Sequence, residues 1–498
     1  MLLGILLSVG NLFARAYGTN EKWETGYCVL PSQDGGFLMA GMTSIPNSQD
    51  RDAIVIKCNA QGSPIWAKTL KGYEENVLTS GCLAQDGGYV LAGWSCSSGG
   101  NPGIFLVKLS PSGQIAWIRS TGYSVWLKAN AVFPLGDQIV VVCTNSNENY
   151  IIFIALDLSG NVKRVLKFSL NRSIGVYSAT QTSDGGFVLA GFYREDSGRE
   201  EDFLVVKFDQ GWQTDWCRVI ATSGSSRDSA QCIIQTEDGG YIVCGVTTSG
   251  SSTDALAVKL DGSGNLQWAN LVDCDGARER FLSGVSVGDN GAIILGTVSL
   301  PSSDNDLMLV RLDDVGNITW SWVYRTTKST SGVSLARLTD GGVACLGWAN
   351  NIVPGDVDFL FIKTGDNGEY PSCLDSLVLT ASAPTTLLYS RDTFLIYTSL
   401  VFLNPQLQNE SPSIRSIDVC QSHPDVEEEQ NTNGKIVARS VRKGLVFFCV
   451  EPVGLKIYRA DGVMVKDINL RAGKNFLPMR PGVYFWVSEE TSGSIAVQ

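Results

Sequence analysis

Hydrophobic and polar positions alternate in short runs along most of this chain of 498 residues. Apolar runs of strand length are separated by polar segments rich in Gly, Asp, Ser and Asn, a pattern typical of β-strands joined by tight turns. One run follows an Asp-Gly-Gly triplet in QDGGFLMAG (33–41), and it returns as QDGGYVLAG (85–93), SDGGFVLAG (183–191) and EDGGYIVCG (237–245). The pattern predicts an all-β protein built from a sequence repeat.

Weaker copies complete the series. They are LGDQIVVVC (135–143), DNGAIILG (289–296) and TDGGVACLG (339–347). A second motif, DAIVIKCNAQGSPIWAK from Asp52, follows each copy of the first, and its seventh occurrence, DFLFIKTGDNGEYPSC, ends before the tryptophan. Four runs of strand length recur about every 50 residues, which predicts a seven-bladed β-propeller over residues 12–373.

Positions within the repeat have expected structural roles. The Asp-Gly-Gly triplet supplies positive φ for a hairpin turn. A basic residue inside an apolar strand needs a carboxylate or carbonyl partner. A glycine seven positions beyond the lead Asp is expected to allow close approach between sheets, and a Trp in the last strand to fill the space between neighbouring blades. The basic residues are Lys57, Lys108, Lys207, Lys259, Arg311 and Lys363. The glycines are Gly41, Gly93, Gly191, Gly245, Gly296 and Gly347, and the tryptophans are Trp66, Trp117, Trp216, Trp268 and Trp320.

The start of the chain supplies the strand that the seventh repeat lacks. LFARAYG (Leu12–Gly18) aligns with IWAKTLKG (65–72), with Phe13 at the tryptophan position. Pairing of this strand with the last repeat is predicted to close the ring and remove an exposed sheet edge. Residues 1–11, with the short apolar run MLLGILLSV, are interpreted as a signal-peptide remnant.

Composition narrows the chemistry. A net charge of −12 and a pI near 4.8 argue against a nucleic-acid partner. The single histidine, His423, leaves Ser-His-Asp, Cys-His and His-ligated metal sites without their central residue. Thirteen scattered cysteines with no CxxC motif are interpreted as small buried apolar side chains. We therefore predict no catalytic residue, no metal and no cofactor.

The repeat is similar to that of the SBBP (seven-bladed β-propeller) family, whose units combine a D-A-F-V-x-K strand and a G-x-x-x-W strand with an Asp-Gly hairpin. DALAVKLDGSGNLQW (Asp254–Trp268) is the nearest copy. The resemblance implies the propeller fold and an extracytoplasmic setting, and it implies no reaction.

The C-terminal segment resembles the sorting domain of bacterial type IX secretion cargo. The matching parts are Leu455–Tyr458, Asp461–Gly462 and Pro481–Tyr484, and the alternating pattern predicts a small β-sandwich over residues 435–498. A generic Ig-like module is the alternative, and the acidic tail SEETSGSIAVQ departs from the basic terminal strand usual in the family. Residues 374–434 are interpreted as a connector that ends in an acidic linker.

The sorting resemblance implies export across the inner and outer membranes to the cell surface or the medium, with the type IX machinery as partner. No integral membrane segment and no nucleic-acid partner are expected.

One slot of the repeat suggests a ligand site. Ten residues before the lead position, repeats one, five and six carry the acids Glu24, Asp228 and Glu279, whereas repeats three and four carry Trp126 and Ile174. Because this slot precedes the innermost strand, apolar groups there are predicted to line a binding depression. The predicted ligand-binding residues are Tyr123, Trp126, Ile174 and Arg280. Drift within a tolerant repeat is the alternative.

The Asp residues at the start of the second motif also invite a Ca²⁺ interpretation. They occur once per repeat without EF-hand spacing, which favours carboxylates that cap backbone amides. They are Asp52, Asp202, Asp254, Asp306 and Asp358.

The sequence predicts an exported, non-catalytic propeller that binds a glycan, a peptide or a surface component. The alternatives are an extracytoplasmic lyase or hydrolase that uses carboxylates in the central channel, and a purely structural envelope protein. Carboxylates clustered in the channel favour the enzyme, and an apolar or aromatic lining favours binding.

Overall fold

A computed structural model gives the fold. It describes residues 12–368 except for some loop positions and, beyond 368, the backbone of separate strands. The undescribed positions before 368 are 20–21, 47, 49, 72–74, 97–99, 122–126, 146–148, 171, 195–200, 223–225, 251, 274–276, 300–304, 325–328 and 351–356. The predicted signal-peptide remnant 1–11 and His423 lie outside the described residues. The chain divides into an N-terminal region, Met1–Gln421, and a C-terminal region, Ser422–Gln498.

Every regular element in the described residues is a β-strand, as the alternating pattern predicts. After β1 (Phe13–Gly18), the strands of the N-terminal region fall into successive groups, which we call blades. Blade 1 holds β2 (Trp23–Pro31), β3 (Phe37–Ser44), β4 (Arg51–Cys58) and β5 (Pro64–Lys71); blade 2 holds β6 (Glu75–Leu83), β7 (Tyr89–Cys96), β8 (Gly103–Leu109) and β9 (Ile115–Ser120); blade 3 holds β10 (Leu127–Leu135), β11 (Gln138–Asn145), β12 (Ile151–Leu156) and β13 (Val162–Ser169); blade 4 holds β14 (Ser173–Gln181), β15 (Phe187–Arg194), β16 (Glu201–Phe208) and β17 (Thr214–Thr222). Blade 5 holds β18 (Ser226–Gln235), β19 (Tyr241–Ser249), β20 (Ser252–Leu260) and β21 (Leu266–Asp273); blade 6 holds β22 (Arg278–Val287), β23 (Gly291–Ser299), β24 (Asn305–Leu312) and β25 (Ile318–Tyr324); the last blade holds β26 (Thr330–Arg337), β27 (Val343–Asn350) and β28 (Val357–Lys363).

Within a blade, consecutive strands pair antiparallel; in blade 1, Thr43 of β3 lies between Glu24 of β2 and Asp52 of β4. The first strands of neighbouring blades contact one another in order from β2 to β26, and β26 contacts β2 again. Sheets repeated around a common axis in this way form a β-propeller.

The N-terminal strand pairs where the sequence predicts. β1 runs antiparallel to β28, with Phe13 opposite Lys363 and Tyr17 opposite Phe359. The centroid of the Phe13 ring lies 5.5 Å from that of Phe361. The Phe13 ring also lies against the turn glycine Gly62 of blade 1, just as Trp66 of blade 1 lies against the turn glycine Gly113 of blade 2. The prediction that Leu12–Gly18 pairs with the last repeat is therefore confirmed.

The core lies between blades, as between blades 3 and 4, where Phe153, Phe187 and Phe208 are fully buried and their ring centroids lie 4.7–5.4 Å apart. Burial of one such side chain stabilises the fold by roughly 1.5–3 kcal/mol. The aromatic clusters therefore hold neighbouring sheets together.

The Asp of each Asp-Gly-Gly turn forms an ion pair with the buried basic residue of the same blade. Gly35 has φ of 76°, and Asp34 Oδ1 accepts a hydrogen bond from the amide of Gly36 at 3.0 Å. Lys57 is buried, and its Nζ lies 2.8 Å from Asp34 Oδ2 and 3.1 Å from the carbonyl oxygen of Cys58. The predicted pairing of the basic residue is confirmed here and at Lys108–Asp86, Lys207–Asp184, Lys259–Asp238, Arg311–Asp289 and Lys363–Asp340.

The repeated glycine lies where a side chain would have no room. A Cβ on Gly245 would lie 2.0 Å from the carbonyl oxygen of Ser229, which belongs to the paired first strand of the same blade. The predicted close approach between sheets is present at Gly41, whose Cβ would lie 2.9 Å from Phe359 Cζ of the last blade, but the closest contact at each of these glycines is between two strands of one sheet. Its cause is a β-bulge that pushes the first strand toward its neighbour.

The tryptophans bridge blades as expected. Trp117 Nε1 donates to the carbonyl oxygen of Leu158, Trp216 Nε1 to that of Gly262 and Trp268 Nε1 to that of Asp314, each in the following blade.

The segment predicted as a connector supplies further edge strands. It runs around the outer strands in the order opposite to the blades and pairs antiparallel with each of six of them. The pairs are β29 (Leu374–Asp375) with β25, β30 (Thr380–Ser382) with β21, β31 (Thr386–Ser390) with β17, β32 (Phe394–Tyr397) with β13, β33 (Gln408–Glu410) with β5, and β34 (Arg415–Asp418) with β1. These outer edges are therefore covered. The predicted domain bounds 12–373, 374–434 and 435–498 stay predictions.

The C-terminal region contains two antiparallel sheets. One has the order β35 (Ile436–Val441), β36 (Gly444–Cys449), β39 (Gly473–Pro478), and the other β38 (Met464–Leu470), β37 (Val453–Arg459), β40 (Gly482–Val487), β41 (Ser492–Val497). Among the residues that the structure describes, no helix has the length and apolarity to cross a bilayer.

Candidate functional site

The first strands surround the axis of the propeller, and each carries a bulge at the same place. The bulged residue has no partner on the second strand, so its side chain lies outside the regular pairing. These residues are Tyr27, Thr79, Asn130, Tyr177, Gln231, Leu282 and Val333. We call them the bulge ring. All seven are half-buried or exposed, and none carries a charge at neutral pH.

Two tyrosines give the bulge ring its aromatic character. The Tyr177 side chain is 40% exposed, and its ring lies 5.8 Å from that of Phe192. Burial raises the pKa of Tyr27, although nearby Arg51 lowers it in part. Both residues offer a neutral aromatic surface with a hydroxyl group, which suits recognition more than acid–base chemistry.

Serine hydroxyls join several pairs of neighbouring first strands. Ser334 Oγ accepts the amide hydrogen of Val29 at 3.1 Å, and Ser283 Oγ accepts that of Leu335 at 3.0 Å. The same bond joins Ser80 to Val132 and Ser178 to Ile233. Each hydroxyl satisfies an amide that the bulged edge of the next blade leaves unpaired. Sequence reasoning missed these bonds, although a Ser or Cys six residues before the lead Asp was a visible signal.

The acids at the start of the first strands are interior groups. Glu24 is fully buried, and its Oε1 accepts hydrogen bonds from the hydroxyls of Thr19 at 2.5 Å and Thr43 at 2.9 Å. Burial raises the pKa of Glu24 and outweighs the opposite effect of these hydroxyls. Asp228, also fully buried, accepts from the amide of Thr222 at 2.7 Å and from its hydroxyl at 2.8 Å. Both carboxyls therefore hold the chain that enters the blade.

A second carboxyl adjoins Glu24. Trp23 pairs in parallel with Val357, which places Glu24 beside the buried Asp358. Both carboxyls lie close to Gly18, because a Cβ there would lie 2.0 Å from Asp358 Oδ1 and 3.1 Å from Glu24 Oε2. Among the residues that the structure describes, no group of three His, Cys, Asp or Glu side chains is suited to a metal ion.

The predicted ligand residues have different environments. Tyr123 and Trp126 lie outside the described residues. Ile174 is fully buried in the hydrophobic cluster between blades 3 and 4, so packing accounts for it. Arg280 is exposed on β22 and lies opposite Thr297. The described residues thus do not show the four as one cluster, and their predicted role stays a prediction.

The strand register shows which residue of blade 3 is equivalent to Glu24 of blade 1. Leu127, 2% exposed, lies opposite Asn145, just as Glu24 lies opposite Thr43. In the strand register this slot of blade 3 is held by Leu127, and Trp126 lies outside the described residues. Counting ten residues back from the lead position does not reach the same slot in blade 3, because the hairpin there has a loop of only two residues between the paired Leu135 and Gln138.

Nine cysteines in the described residues have free thiols, and eight of them are buried. Cys232 lies directly opposite Cys244 in blade 5. Burial raises the thiol pKa of Cys28, Cys58 and Cys82 to about 12, which makes these thiols unreactive at neutral pH.

A groove of about 550 Å³ lies on the outer side of blade 2, lined by Trp117, Arg119, Leu158 and their neighbours. The Arg119 guanidinium lies 5.3 Å from the Trp117 ring centroid and donates to the carbonyl oxygen of Gly160. Arg218 and Trp216 repeat this arrangement in blade 4. The groove is therefore part of the repeated contact between blades.

Comparison with known proteins gives a likeness at the level of structure. No family model matches the sequence. No curated protein matches it. Among solved structures, the polysaccharide lyase Uly1 aligns with a TM-score of 0.46 and 11% identity over 68% of this chain and 90% of its own. Sqt1 from Chaetomium thermophilum aligns with a TM-score of 0.40 and 10% identity over 72% of this chain and 99% of its own. The WD40 domain of SCAP from fission yeast aligns with a TM-score of 0.26 and 8% identity over 78% of this chain and 97% of its own.

Proposed function

We propose that the N-terminal region is a seven-bladed β-propeller that binds a ligand along its central channel and catalyses no reaction. The blade count is supported by the seven copies of both sequence motifs and by the first-strand contacts that return from β26 to β2. The pairing of β1 with β28 supplies the fourth strand of the last blade.

The bulge ring is the observation that carries the binding role. Its residues lie on the innermost strands and combine two tyrosines, two amides, a threonine and two aliphatic side chains without a carboxylate. Hydrolases of oligosaccharides use a pair of carboxyl groups that reach the substrate, and Tyr27, whose pKa burial raises, is a poor general base. Of the acids at the first strands, Glu24, Asp228 and Glu279 are fully buried, and the half-buried Glu75 forms an ion pair with Arg51. This lining therefore favours recognition over acid–base catalysis.

The experiment uses the full-length protein, labelled and applied to glycan and peptide arrays. Tyr177→Ala is expected to weaken binding of the selected ligand at least tenfold without lowering the melting temperature, because the side chain is 40% exposed. Ile65→Ala, at a 57% exposed position on outer strand β5, is the matched control and should bind normally.

Two further results bear on the proposal. Trp126→Ala is predicted to abolish binding and leave stability nearly intact, and loss of folding would instead make Trp126 a packing residue. Turnover of a bound oligosaccharide by the protein would contradict the non-catalytic role.

We also propose that residues 435–498 form a β-sandwich of the type IX sorting kind and that the protein is an SBBP-type bacterial protein exported through that machinery. The support is the sequence match within 454–487 and the two antiparallel sheets. In a bacterium with this pathway, the full chain is expected at the surface or in the medium. A chain ending at residue 434 is expected to remain in the periplasm, and its appearance outside the cell would contradict the proposal.

A further inference from the structure

We propose that the ligand is an anionic oligosaccharide, held by exposed cations at the starts of consecutive first strands. This inference rests on the ligand-binding role proposed above and names the class of ligand. The cations form an arc across blades 3 to 6. Its members are Lys128, Arg172, Arg227, Arg278 and Arg280.

The arc occupies one level of the propeller. Arg278 and Arg280 flank the buried Glu279 on β22, so they share one face of the strand. Arg227 directly precedes the buried Asp228 on β18, and Lys128 directly follows the buried Leu127 on β10. Since each cation lies within two residues of the same repeat position, the arc follows the rim of the channel where the first strands begin.

Several of the described acids at this level are buried or paired, and Glu201, which lies beside Arg227 in the parallel register, forms an ion pair with Arg194. Glu24, Asp228 and Glu279 are fully buried, so a ligand meets the cations and not these carboxyls. In blade 2, Oε2 of the half-buried Glu75 lies 3.6 Å from Nη1 of Arg51, and this ion pair balances the Glu75 charge. The whole chain carries a net charge of −12, so a cationic arc at this rim is a local property of the site. Guanidinium groups form bidentate hydrogen bonds with carboxylates and with sulfate esters.

Neutral groups beside the cations favour a sugar over other polyanions. Trp23, 37% exposed, lies at the start of β2 at the level of the arc, and Lys128 Nζ lies 4.8 Å above the Trp94 ring. Sugar rings pack their apolar faces against such aromatic surfaces. The half-buried hydroxyls of Ser173 and Ser329 lie at the same level and suit sugar hydroxyl groups. A ligand that carries both hydroxyl groups and carboxylates matches this combination of cations, aromatic rings and serine hydroxyls.

The test is titration calorimetry of the full-length protein with oligogalacturonate at low ionic strength. The same oligosaccharide with its carboxylates methyl-esterified is the neutral control, and a sulfated galactan oligosaccharide separates carboxylate from sulfate recognition. We expect the acid form to bind at least tenfold more tightly than the ester and to weaken as salt is raised.

Variants test the arc itself. Arg278→Gln/Arg280→Gln is expected to weaken binding of oligogalacturonate or of the sulfated probe at least tenfold, since both guanidinium groups lose their charge-assisted hydrogen bonds to the ligand. Lys163→Gln is the matched control, because Lys163 is an exposed cation on outer strand β13 with its side chain 52% exposed. The control should bind as the parent does.

The outcomes separate this inference from the proposed function. Equal binding of acid and ester that Tyr177→Ala abolishes would overturn the anionic class and keep the binding role. Tighter binding of polyglutamate or single-stranded DNA than of either anionic oligosaccharide would overturn the glycan and keep the arc as a site for another polyanion. Failure of every probe, together with empty arrays, would overturn both.

Discussion

At one end of the blades, where the Asp-Gly-Gly hairpins lie, each lead Asp meets a basic residue of its own blade, as Asp184 meets Lys207. At the other end, where the first strands begin, the residue at the equivalent position changes from Glu24 to Ile174 to Asp228 around the ring. We call these the turn side and the entry side. The turn side keeps the same pair of an Asp with a Lys or Arg in every blade except blade 3, which has Gly136 at the lead position and Ala155 at the basic position. The entry side varies from blade to blade: its buried position holds acids in three blades, and exposed cations lie next to that position on β10, β18 and β22.

The difference shows how one repeat combines stability with recognition. On the turn side, the charge pairs neutralise themselves within a blade and leave little for a ligand to bind. On the entry side, the buried Glu24 carboxyl accepts hydrogen bonds from the incoming chain, whereas Arg278 and Arg280, which flank the equivalent Glu279 on β22, are exposed. Variation at the entry side therefore changes the binding surface without altering the hairpins.

Removal of β1 is expected to have the largest effect, because it damages both sides at once. Deletion of Leu12–Gly18 opens the edge of β28 and removes the partner of β34. It also removes Tyr17, whose hydroxyl donates to the carbonyl oxygen of Gly62 at 2.6 Å. We expect loss of cooperative folding or aggregation. Thermal unfolding and size-exclusion chromatography measure this, and an unchanged melting curve would refute the closure of the ring by β1.

Two glycines of blade 5 give the next contrast. Gly245→Ala places its Cβ 2.0 Å from the carbonyl oxygen of Ser229, a backbone atom with little freedom to move, and is expected to cost about 3 kcal/mol. Gly239→Ala meets nothing within 4 Å and strains only a turn with φ of 79°, for about 1 kcal/mol. Urea unfolding at pH 7 measures both variants. Equal losses would show that the bulge near the entry side imposes no tighter constraint than the turn.

The smallest effects concern pH and have opposite signs at the two sides. Burial raises the pKa of Glu24 in the native state, so its contribution to the free energy of unfolding falls as pH rises above about 4.3 through the raised value. Burial also acts to raise the pKa of Asp184, but hydrogen bonds from Lys207, Thr182 and Gly186 lower it to about 2. The contribution of Asp184 is therefore present above about pH 4 and is lost as pH falls toward 2.

Two isosteric variants separate these contributions. Glu24→Gln is expected to raise the free energy of unfolding at pH 7 and to flatten its fall as pH rises above about 4.3. Asp184→Asn is expected to lower it at pH 7 by less than about 1 kcal/mol, since the Asp184 side chain is 56% exposed, and to match the parent near pH 2. Urea unfolding from pH 2 to pH 8 measures both. Parallel pH profiles for the two variants would contradict the contrast between the sides.

Much of the fold was predictable because local chemistry repeats. Asp34, Gly35 and Lys57 encode a turn and its ion pair within 24 residues of chain, and the alignment of Phe13 with the tryptophans located the closing strand. The candidate site was less predictable. Ile174 was expected beside a ligand, yet it packs between two sheets, because alternation along a strand does not show which neighbouring sheet a side chain meets.

The sequence by itself determined the all-β class, the repeat, the hairpin turns and the pairing of β1 with β28, since each depends on residues close in sequence or on a repeat that aligns them. Only the tertiary structure decided that serine hydroxyls join the first strands, that residues 374–418 pair with the outer strands, and that acids and cations of the entry side lie on opposite faces. These features depend on contacts between blades about 50 residues or more apart, and a one-dimensional pattern holds no information on which of those surfaces meet.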